Sequence, residues 1–314
     1  MEGNTWLIFN PVAGQTDPQG DLTFIQEFLG PELDLHVALT THERTAEHCA
    51  REAVASGAGR VIAAGGDGTL SEVAQILSGT AIPMGIIPRG TANALAVALG
   101  LPMDLPLALE VILDGHIRRI DTARCNGRIM LLLAGVGFEA LTVQNTSRES
   151  KTLLGPFAYI LSGLQQLGEL ATFTVELETR EERLIFDAVA VTVANIAPPT
   201  SILAQGPGEV RPDDGKLDVT VVAATTPLEA VAAGYHLLWT AMRDLPAQMQ
   251  NIGHLRESKL RIVTDPPQVV VIDGEVIGTT PLEVECLPRS LQVFVPRLVP
   301  TLVVLEELDE TKGL

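Results

Sequence analysis

The sequence predicts an α/β domain with a mostly parallel sheet followed by an antiparallel all-β domain, and three observations carry that reading. Up to about residue 122, short apolar runs alternate with longer helical stretches, the pattern of a sheet crossed by helices. Beyond that point, period-two segments and tight-turn signals replace the alternation. The chain has 314 residues, 46% of them hydrophobic, which is enough for two cores of ordinary size.

In chain order, "TWLIFN" reads as the first strand, followed by a helix near 20–29, the strand "LDLHVALT", a helix near 44–56, the strand "RVIAAGG", a helix near 69–78, the strand "IPMGIIP" and a helix near 91–99. Ligands of such sheets sit in the loops at the carboxyl ends of the strands. After "RRIDTARCNG", Asn126-Gly127 reads as a tight hairpin turn. The segments "TFTVELETREERLIFDAVAVTVANI", "KLDVTVVAA", "KLRIVT", "QVVVIDGEVIG" and "LEVECL" then read as antiparallel strands. Two stretches near 155–170 and 227–245 carry helical spacing of apolar residues; their apolar faces are expected in the core, with a lipid entrance as the alternative. The strand "SLQVFVP" and the tail "LVVLEELDETKGL" are candidates to return to the first domain. The expected division is therefore 1–122, 123–290 and a carboxyl-terminal segment, 291–314.

Charge and composition exclude several functions. A formal net charge of -18 leaves no clustered Lys and Arg to neutralise phosphate chains, so nucleic acid is not an expected partner. The same charge weakens attraction to an anionic bilayer, so any lipid contact has to be local, apolar or assisted by a metal ion. Cys49, Cys125 and Cys286 are scattered and odd in number, which fits buried thiols in a reducing compartment. The amino terminus reads as neither a signal nor a transit peptide, and no run approaches eighteen apolar residues; a cytoplasmic protein is the expectation. The six histidines form no HExxH or HxH pattern, and no GxSxG elbow occurs, so zinc and serine-hydrolase chemistry lack support.

Three glycine-containing loops follow three strands: "NPVAGQ" at 10–15, "GGDGTLSEV" at 65–73 and "PRGTANALA" at 88–96. Glycines after a strand let backbone N–H groups turn inward, and the amino end of the next helix adds positive potential, so such loops can cradle phosphate. Asp67 is the discriminating residue. A carboxylate facing phosphate is repelled unless a divalent cation lies between them, and Mg²⁺ is commonly held by one carboxylate together with substrate phosphates. The spacing matches neither the GK[ST] loop nor GxGxxG. In the second half, "RPDDGKLDV" is an oxygen-rich turn suited to a hard cation, and "DGE" at 273–275 places two carboxylates at what is also an ordinary hairpin turn.

Together, "NPVAG", "GGDGTLSEV", "PRGTAN", "RPDDGKLDV" and "VVVIDGEVIG" make the chain similar to the diacylglycerol kinase family, in particular its soluble bacterial lipid kinases, which are related to sphingosine kinases. The resemblance spans nearly the whole chain. It implies an α/β nucleotide domain and a β-sandwich domain that holds the lipid and completes catalysis, with ATP in the cleft between them. It assigns nucleotide contacts to Asn10, Pro11, Val12, Ala13, Gly14 and Thr40. The phosphates would lie on Gly66, Asp67, Gly68, Thr69, Leu70, Ser71 and Glu72, with Thr91 reaching them and Asn93 fixing its loop. Glu275 is the implied catalytic base, with Asp273 beside it as metal ligand or orienter. A structural Mg²⁺ would take a side-chain oxygen of Asp214 and backbone carbonyls of Arg211 and Lys216.

The implied activity is ATP- and Mg²⁺-dependent phosphorylation of a lipid hydroxyl, most simply diacylglycerol to phosphatidic acid, at transient peripheral contact with a membrane; a homodimer is left open. Rivals are a soluble-metabolite kinase of the NAD kinase type, which shares GGDGT, and a nucleotide-regulated binding protein without catalysis. Four positions depart from the family pattern: Ala94 where an aspartate is frequent, Gln15 where a basic residue is frequent, Ser71 where asparagine is usual, and Arg89, which would offset phosphate charge or lie solvated on the surface.

Overall fold

The computed structural model describes residues 4–14, 17–137, 172–198, 201, 204, 210–223, 226–241, 243, 245 and 247–297. Gln15, the stretch near 155–170 and the tail after residue 297 lie outside the described residues. The first part alternates strand and helix: β1 (Thr5–Phe9), α1 (Pro18–Leu29), β2 (Leu35–Leu39), α2 (Ala46–Ala55), β3 (Arg60–Gly65), α3 (Asp67–Leu77), β4 (Met84–Pro88), α4 (Ala94–Ala98) and α5 (Leu105–Asp114). Strands β2, β1, β3 and β4 pair in that order and all in parallel. Both faces of this sheet are covered, one by Ile8, Val61 and Ala63 beneath α2 and α3, the other by Leu7, Ile62 and Ile87 beneath α1 and α5. That two-sided burial is why the strands read as unbroken apolar runs.

Helix α5 is not among the helices expected from the sequence. Its signals are nonetheless present: Asp104 accepts the N–H of Leu107 as N-cap, Pro106 falls in the first turn, and Gly115 follows the last residue. Its apolar residues surround most of the helix, which blurs the one-sided periodicity by which amphipathic helices are recognised.

The second part comprises β5 (His116–Cys125), β6 (Arg128–Met130), β7 (Leu133–Gly137), β8 (Phe173–Glu178), β9 (Arg183–Ala188), β10 (Ala190–Ala194), β11 (Leu217–Val222), α6 (Pro227–Ala241), β12 (Ile252–Glu257), β13 (Lys259–Asp265), β14 (Val269–Ile272), β15 (Glu275–Thr279) and β16 (Leu282–Val295). An antiparallel sheet in the order β12-β11-β10-β7-β14-β15 faces the β16-β13-β8-β9 end of the first sheet. Val136, Val191, Val219 and Val270 from one layer meet Val175, Leu177, Ile262 and Val284 from the other, forming the sandwich core. On the outer face of the six-stranded sheet, α6 buries Ala233 and Leu237 against Val189, Val222 and Ile252 and leaves Tyr235 and Trp239 exposed. Among the described residues no helix is long and apolar enough to cross a membrane.

The segments "LEVECL" and "SLQVFVP" form one strand, β16, of fourteen residues. Its first half pairs with β13, its last residues run parallel to β4 through Val293 and Met84, and β5 pairs along most of its length. Pro288 looks like a strand breaker in sequence; it falls where the β5 register shifts between Leu287 and Leu291, at a bulge that needs no N–H there.

Candidate active site

Helices α1, α2 and α5 begin on side chains that accept their free N–H groups: Asp17, Thr45 and Asp104. Helix α3 does not. Its N-cap is Gly66, with no side-chain cap, and the first bond of the helix is Leu70 N–H to Gly66 C=O, 3.1 Å. The N–H groups of Asp67, Gly68 and Thr69 therefore have no partner carbonyl within the helix and lie at its positive end, and a Cβ on Gly68 would meet nothing within 4 Å. Of the stretch Gly66–Glu72, the side chain of Leu70 is wholly in the core, and the Glu72 carboxylate accepts the N–H of Glu47 at the start of α2, 3.2 Å.

The other two loops close on this one. Gly66 and Gly90 lie back to back, so close that a Cβ on Gly90 would sit 2.6 Å from Gly66 Cα. Asn10 donates its side-chain amide to Thr69 Oγ1 (2.9 Å) and accepts the N–H of Val12 (3.1 Å), shaping the turn that carries Pro11, Ala13 and Gly14. Gly14 has φ +85, and a Cβ there would lie 2.5 Å from the Arg89 carbonyl. Thr40 joins the same edge through its N–H to Phe9 C=O, 2.9 Å. Asn93, left-handed at φ 47, accepts Gly90 N–H (2.7 Å) and returns its amide to Gly90 C=O (2.9 Å), while Thr91 stays exposed.

Arg89 corrects the sequence reading. It is neither on the surface nor turned to the phosphate loop: its side chain is 4% exposed, pairs with Asp21 of α1 at 3.0 Å, donates to the Asn10 carbonyl at 2.7 Å and lies over the Phe9 ring at 4.3 Å. It clasps "NPVAG" to "PRGTAN" and to α1. Asp67 also has a second task. Its carboxylate accepts the N–H of Leu95 at 3.3 Å, and with the N–H groups of Ala94 and Asn93 it serves as the cap that α4 lacks from its own residues. Burial pushes the Asp67 carboxyl above its ordinary value, against the pull of those N–H groups.

The hairpin β14–β15 brings the second half to the same place. Asp273 and Gly274 form its turn, with φ 48 and 87, so "DG" is a tight hairpin turn. The turn backbone is open, yet the Asp273 carboxylate points inward. It accepts three successive N–H groups, from Leu131 (2.8 Å), Leu132 (2.8 Å) and Leu133 (3.1 Å), and the Ser71 hydroxyl of α3 at 3.3 Å. Enclosure pushes its pKa up to about 6, with those four donors pulling the other way. All the acceptor capacity described is spent inside the protein, on the turn and its neighbours. Glu275, two residues on, is 64% exposed and lies 3.9 Å from Arg128. Gly68, Ser71, Arg128, Asp273 and Glu275 line one cleft of about 230 Å³. Arg128 had no signal in the sequence beyond following the Asn126-Gly127 turn.

The loop of Arg211, Asp214 and Lys216 is not part of that cleft. Asp121, buried on β5, anchors it by accepting Gly215 N–H (2.6 Å) and donating its own N–H to Pro212 C=O (2.7 Å). Asp214 accepts Lys216 N–H at 3.0 Å and pairs with Arg256. Asp218, 1% exposed, has Arg256 Nε 2.8 Å from Oδ1 but out of hydrogen-bond alignment, and neither of its oxygens has a hydrogen bond. Burial pushes Asp218 up to about 6, with Arg256 opposing and Asp214 adding to the shift. Two carboxylates, one with unbonded buried oxygens, fit a hard cation in donor chemistry; Arg256 lies against both and offsets one of the two charges. Among the described residues no group of three or more His, Cys, Asp or Glu is poised to hold a metal.

Comparison with known proteins agrees with this architecture. Residues 4–125 match the diacylglycerol kinase catalytic domain, and residues 133–295 match the YegS C-terminal NAD kinase beta sandwich-like domain. An uncharacterized protein of Synechocystis is 46% identical, covering 92% of this chain and 70% of its own length. A "Probable lipid kinase YegS-like" protein of Pseudomonas fluorescens is 32% identical, over 86% of this chain and 88% of its own. A crystal structure of a diacylglycerol kinase from Bacillus anthracis superposes with a TM-score of 0.73 at 26% identity, covering 93% of this chain and 97% of that one. With an α/β half and a sandwich half in the same order, this chain belongs to the bacterial diacylglycerol kinase and YegS-like lipid kinase family.

Proposed function

We propose that the chain transfers the γ-phosphate of ATP to the hydroxyl of a membrane lipid, diacylglycerol in the first instance, giving phosphatidic acid. The observation that carries this reading is the Ser71–Asp273 contact: the helix that begins the phosphate loop and the hairpin that carries Glu275 are bonded to each other across one cleft. Residues 1–122 would hold the nucleotide and 123–290 the acceptor, with the strand residues from 291 to 295 returning to the first domain, as the Val293–Met84 pairing supports; the tail of 291–314 after residue 297 lies outside the described residues.

In this scheme the outward N–H groups at the start of α3 bind phosphate oxygens, and Gly68 leaves room for them. The loops of Asn10–Gly14 and Thr91–Asn93 border the same end of the sheet and position the nucleotide. Asp67 is the loop carboxylate that would help hold Mg²⁺ with the ATP phosphates, and the ion would supply charge neutralisation for the transfer; Ala94 supplies no second carboxylate. Glu275 takes the proton of the lipid hydroxyl as its oxygen attacks the γ-phosphorus. Asp273 does not touch the reacting atoms: it fixes the turn that aims Glu275. A structural Mg²⁺ at Asp214, with the carbonyls of Arg211 and Lys216, belongs to the same proposal and would hold that loop without reaching the cleft.

The test is a radiolabelled-ATP assay on a lipid extract and, in parallel, on NAD, with products identified by mass spectrometry. Labelled phosphatidic acid, dependent on Mg²⁺, is the expected product. Labelled NADP with no labelled lipid would replace the reading by a metabolite kinase, and bound ATP with no transfer to either would leave a binding protein.

A further inference from the structure

A second hollow, of about 270 Å³, lies apart from the cleft at the opposite, carboxyl end of α3, bordered by Gly79, Thr80, Arg119, Arg289, Ser290 and Gln292. Neither guanidinium has a carboxylate at ion-pair distance among the described residues, so the hollow gathers two cations in a chain of net charge -18. Two cations sharing one hollow repel each other, and negative charge between them reverses the sign.

The backbone is shaped to put them there. Arg289 is left-handed, φ 53, a conformation that costs a non-glycine residue about 1 kcal/mol. It is held in that state by its N–H to Asp121 Oδ1 (2.6 Å), by the register shift of β16 and by Gly79 N–H to Ser290 C=O (2.7 Å). Strain enforced from three sides is a reason to look for a task at the residue that bears it. On the adjacent strand Arg119 stands directly opposite Gln292, so both side chains share one face. The Ser290 hydroxyl is 2.8 Å from Thr122 Oγ1, which is 3.1 Å from Ser78 Oγ, so a hydroxyl relay can turn a donor toward the hollow. Two guanidinium groups, a hydroxyl and a side-chain amide make a donor set matched to phosphate oxygens.

We propose that this hollow binds a phosphate monoester, through Arg119 and Arg289, at a site separate from the transfer cleft. The chemistry is shared by a free phosphate and by the headgroup of a phosphatidate in a bilayer. The site does not depend on the kinase reading. It adjoins the cation-type loop, because Asp121 takes the N–H of Arg289 on one oxygen and that of Gly215 on the other.

The experiment compares wild type with Arg119→Gln/Arg289→Gln and with Arg289→Gly in two arms: equilibrium dialysis of radiolabelled orthophosphate, and flotation with phosphatidylcholine vesicles with and without phosphatidate. Wild type is expected to bind in at least one arm and the double variant to lose about tenfold or more of that affinity, since charge-assisted bonds are removed. Binding of orthophosphate marks a free anion; binding confined to phosphatidate vesicles marks the lipid headgroup. Arg289→Gly relaxes the left-handed backbone, so its thermal midpoint should hold or rise while binding falls, which separates loss of the site from loss of the fold. No binding by wild type in either arm, or equal binding by the variants, overturns the proposal; binding that persists in the double variant belongs elsewhere.

Discussion

Replacing Arg89 by leucine would take the guanidinium from Asp21, which is 22% exposed, and the donor from the Asn10 carbonyl. Losing charge-assisted hydrogen bonds of this kind typically costs about 1.5–3 kcal/mol, so urea denaturation of Arg89→Leu should show a drop in midpoint, and the KM for ATP should rise as the Asn10–Gly14 turn loosens. Arg89→Lys, which keeps the charge but not the fork, should recover only part of both; wild-type values for Arg89→Leu would show that the clasp is dispensable. Asp273 offers a pH test. Its folded-state pKa of about 6 stands above the unfolded value, so the native protein holds the extra proton between them. Its contribution to stability is full below the unfolded value, about pH 4, and is lost as pH rises through about 6. Unfolding free energy should therefore fall more steeply from pH 4 to 6.5 in wild type than in Asp273→Asn; parallel curves would mean that the carboxyl is not enclosed in solution. At this scale the sequence was readable only in part. Asp67, Asp273 and Glu275 stand out by type and motif, but residue type does not disclose that Arg89 is buried, that Asp273 receives three backbone N–H groups, or that Glu72 turns to α2.

At the scale of elements, the glycine loops carry a sharper contrast. A Cβ on Gly90 meets the Gly66 backbone at 2.6 Å, whereas one on Gly68 meets nothing within 4 Å. Gly90→Ala should therefore force the two loops apart, losing about 1–3 kcal/mol of stability as overpacked sites do together with nucleotide affinity. Gly68→Ala should melt close to wild type and lose activity, because its methyl occupies the cleft; thermal melts and transfer assays on the pair check both. If Gly68→Ala is fully active, phosphate does not approach α3 as described. The elements themselves were largely legible because a covered parallel sheet and a two-layer sandwich impose different periods on the sequence. Helix α5 escaped because its apolar residues do not leave a one-sided stripe. The unity of β16 escaped because a proline at a bulge reads the same as a proline between strands.

For the whole molecule, β16 has the largest consequence. It pairs with β13 in the sandwich and with β4 in the parallel sheet, so neither half can release it without unpairing the other. The halves should unfold together. Trp6 lies buried in the first half and Trp239 on α6 of the second, so Trp239→Phe and Trp6→Phe each isolate one fluorescence probe, and the two denaturation midpoints should coincide; separated midpoints would make the halves independent. A shared strand also joins the halves that meet at the Ser71–Asp273 contact, with the start of α3 and the Glu275 hairpin on one cleft. The net charge of -18 leaves no broad basic face, so the lipid of the proposed reaction would be recognised locally.

If Glu275 takes the proton of a lipid hydroxyl opposite the phosphate loop, Glu275→Gln should be slow in single-turnover transfer from labelled ATP to diacylglycerol. A removed general base typically costs about 10²–10⁴-fold in rate; a loss of that size is expected with ATP affinity and thermal midpoint unchanged, and transfer at the wild-type rate would show that Glu275 is not the base.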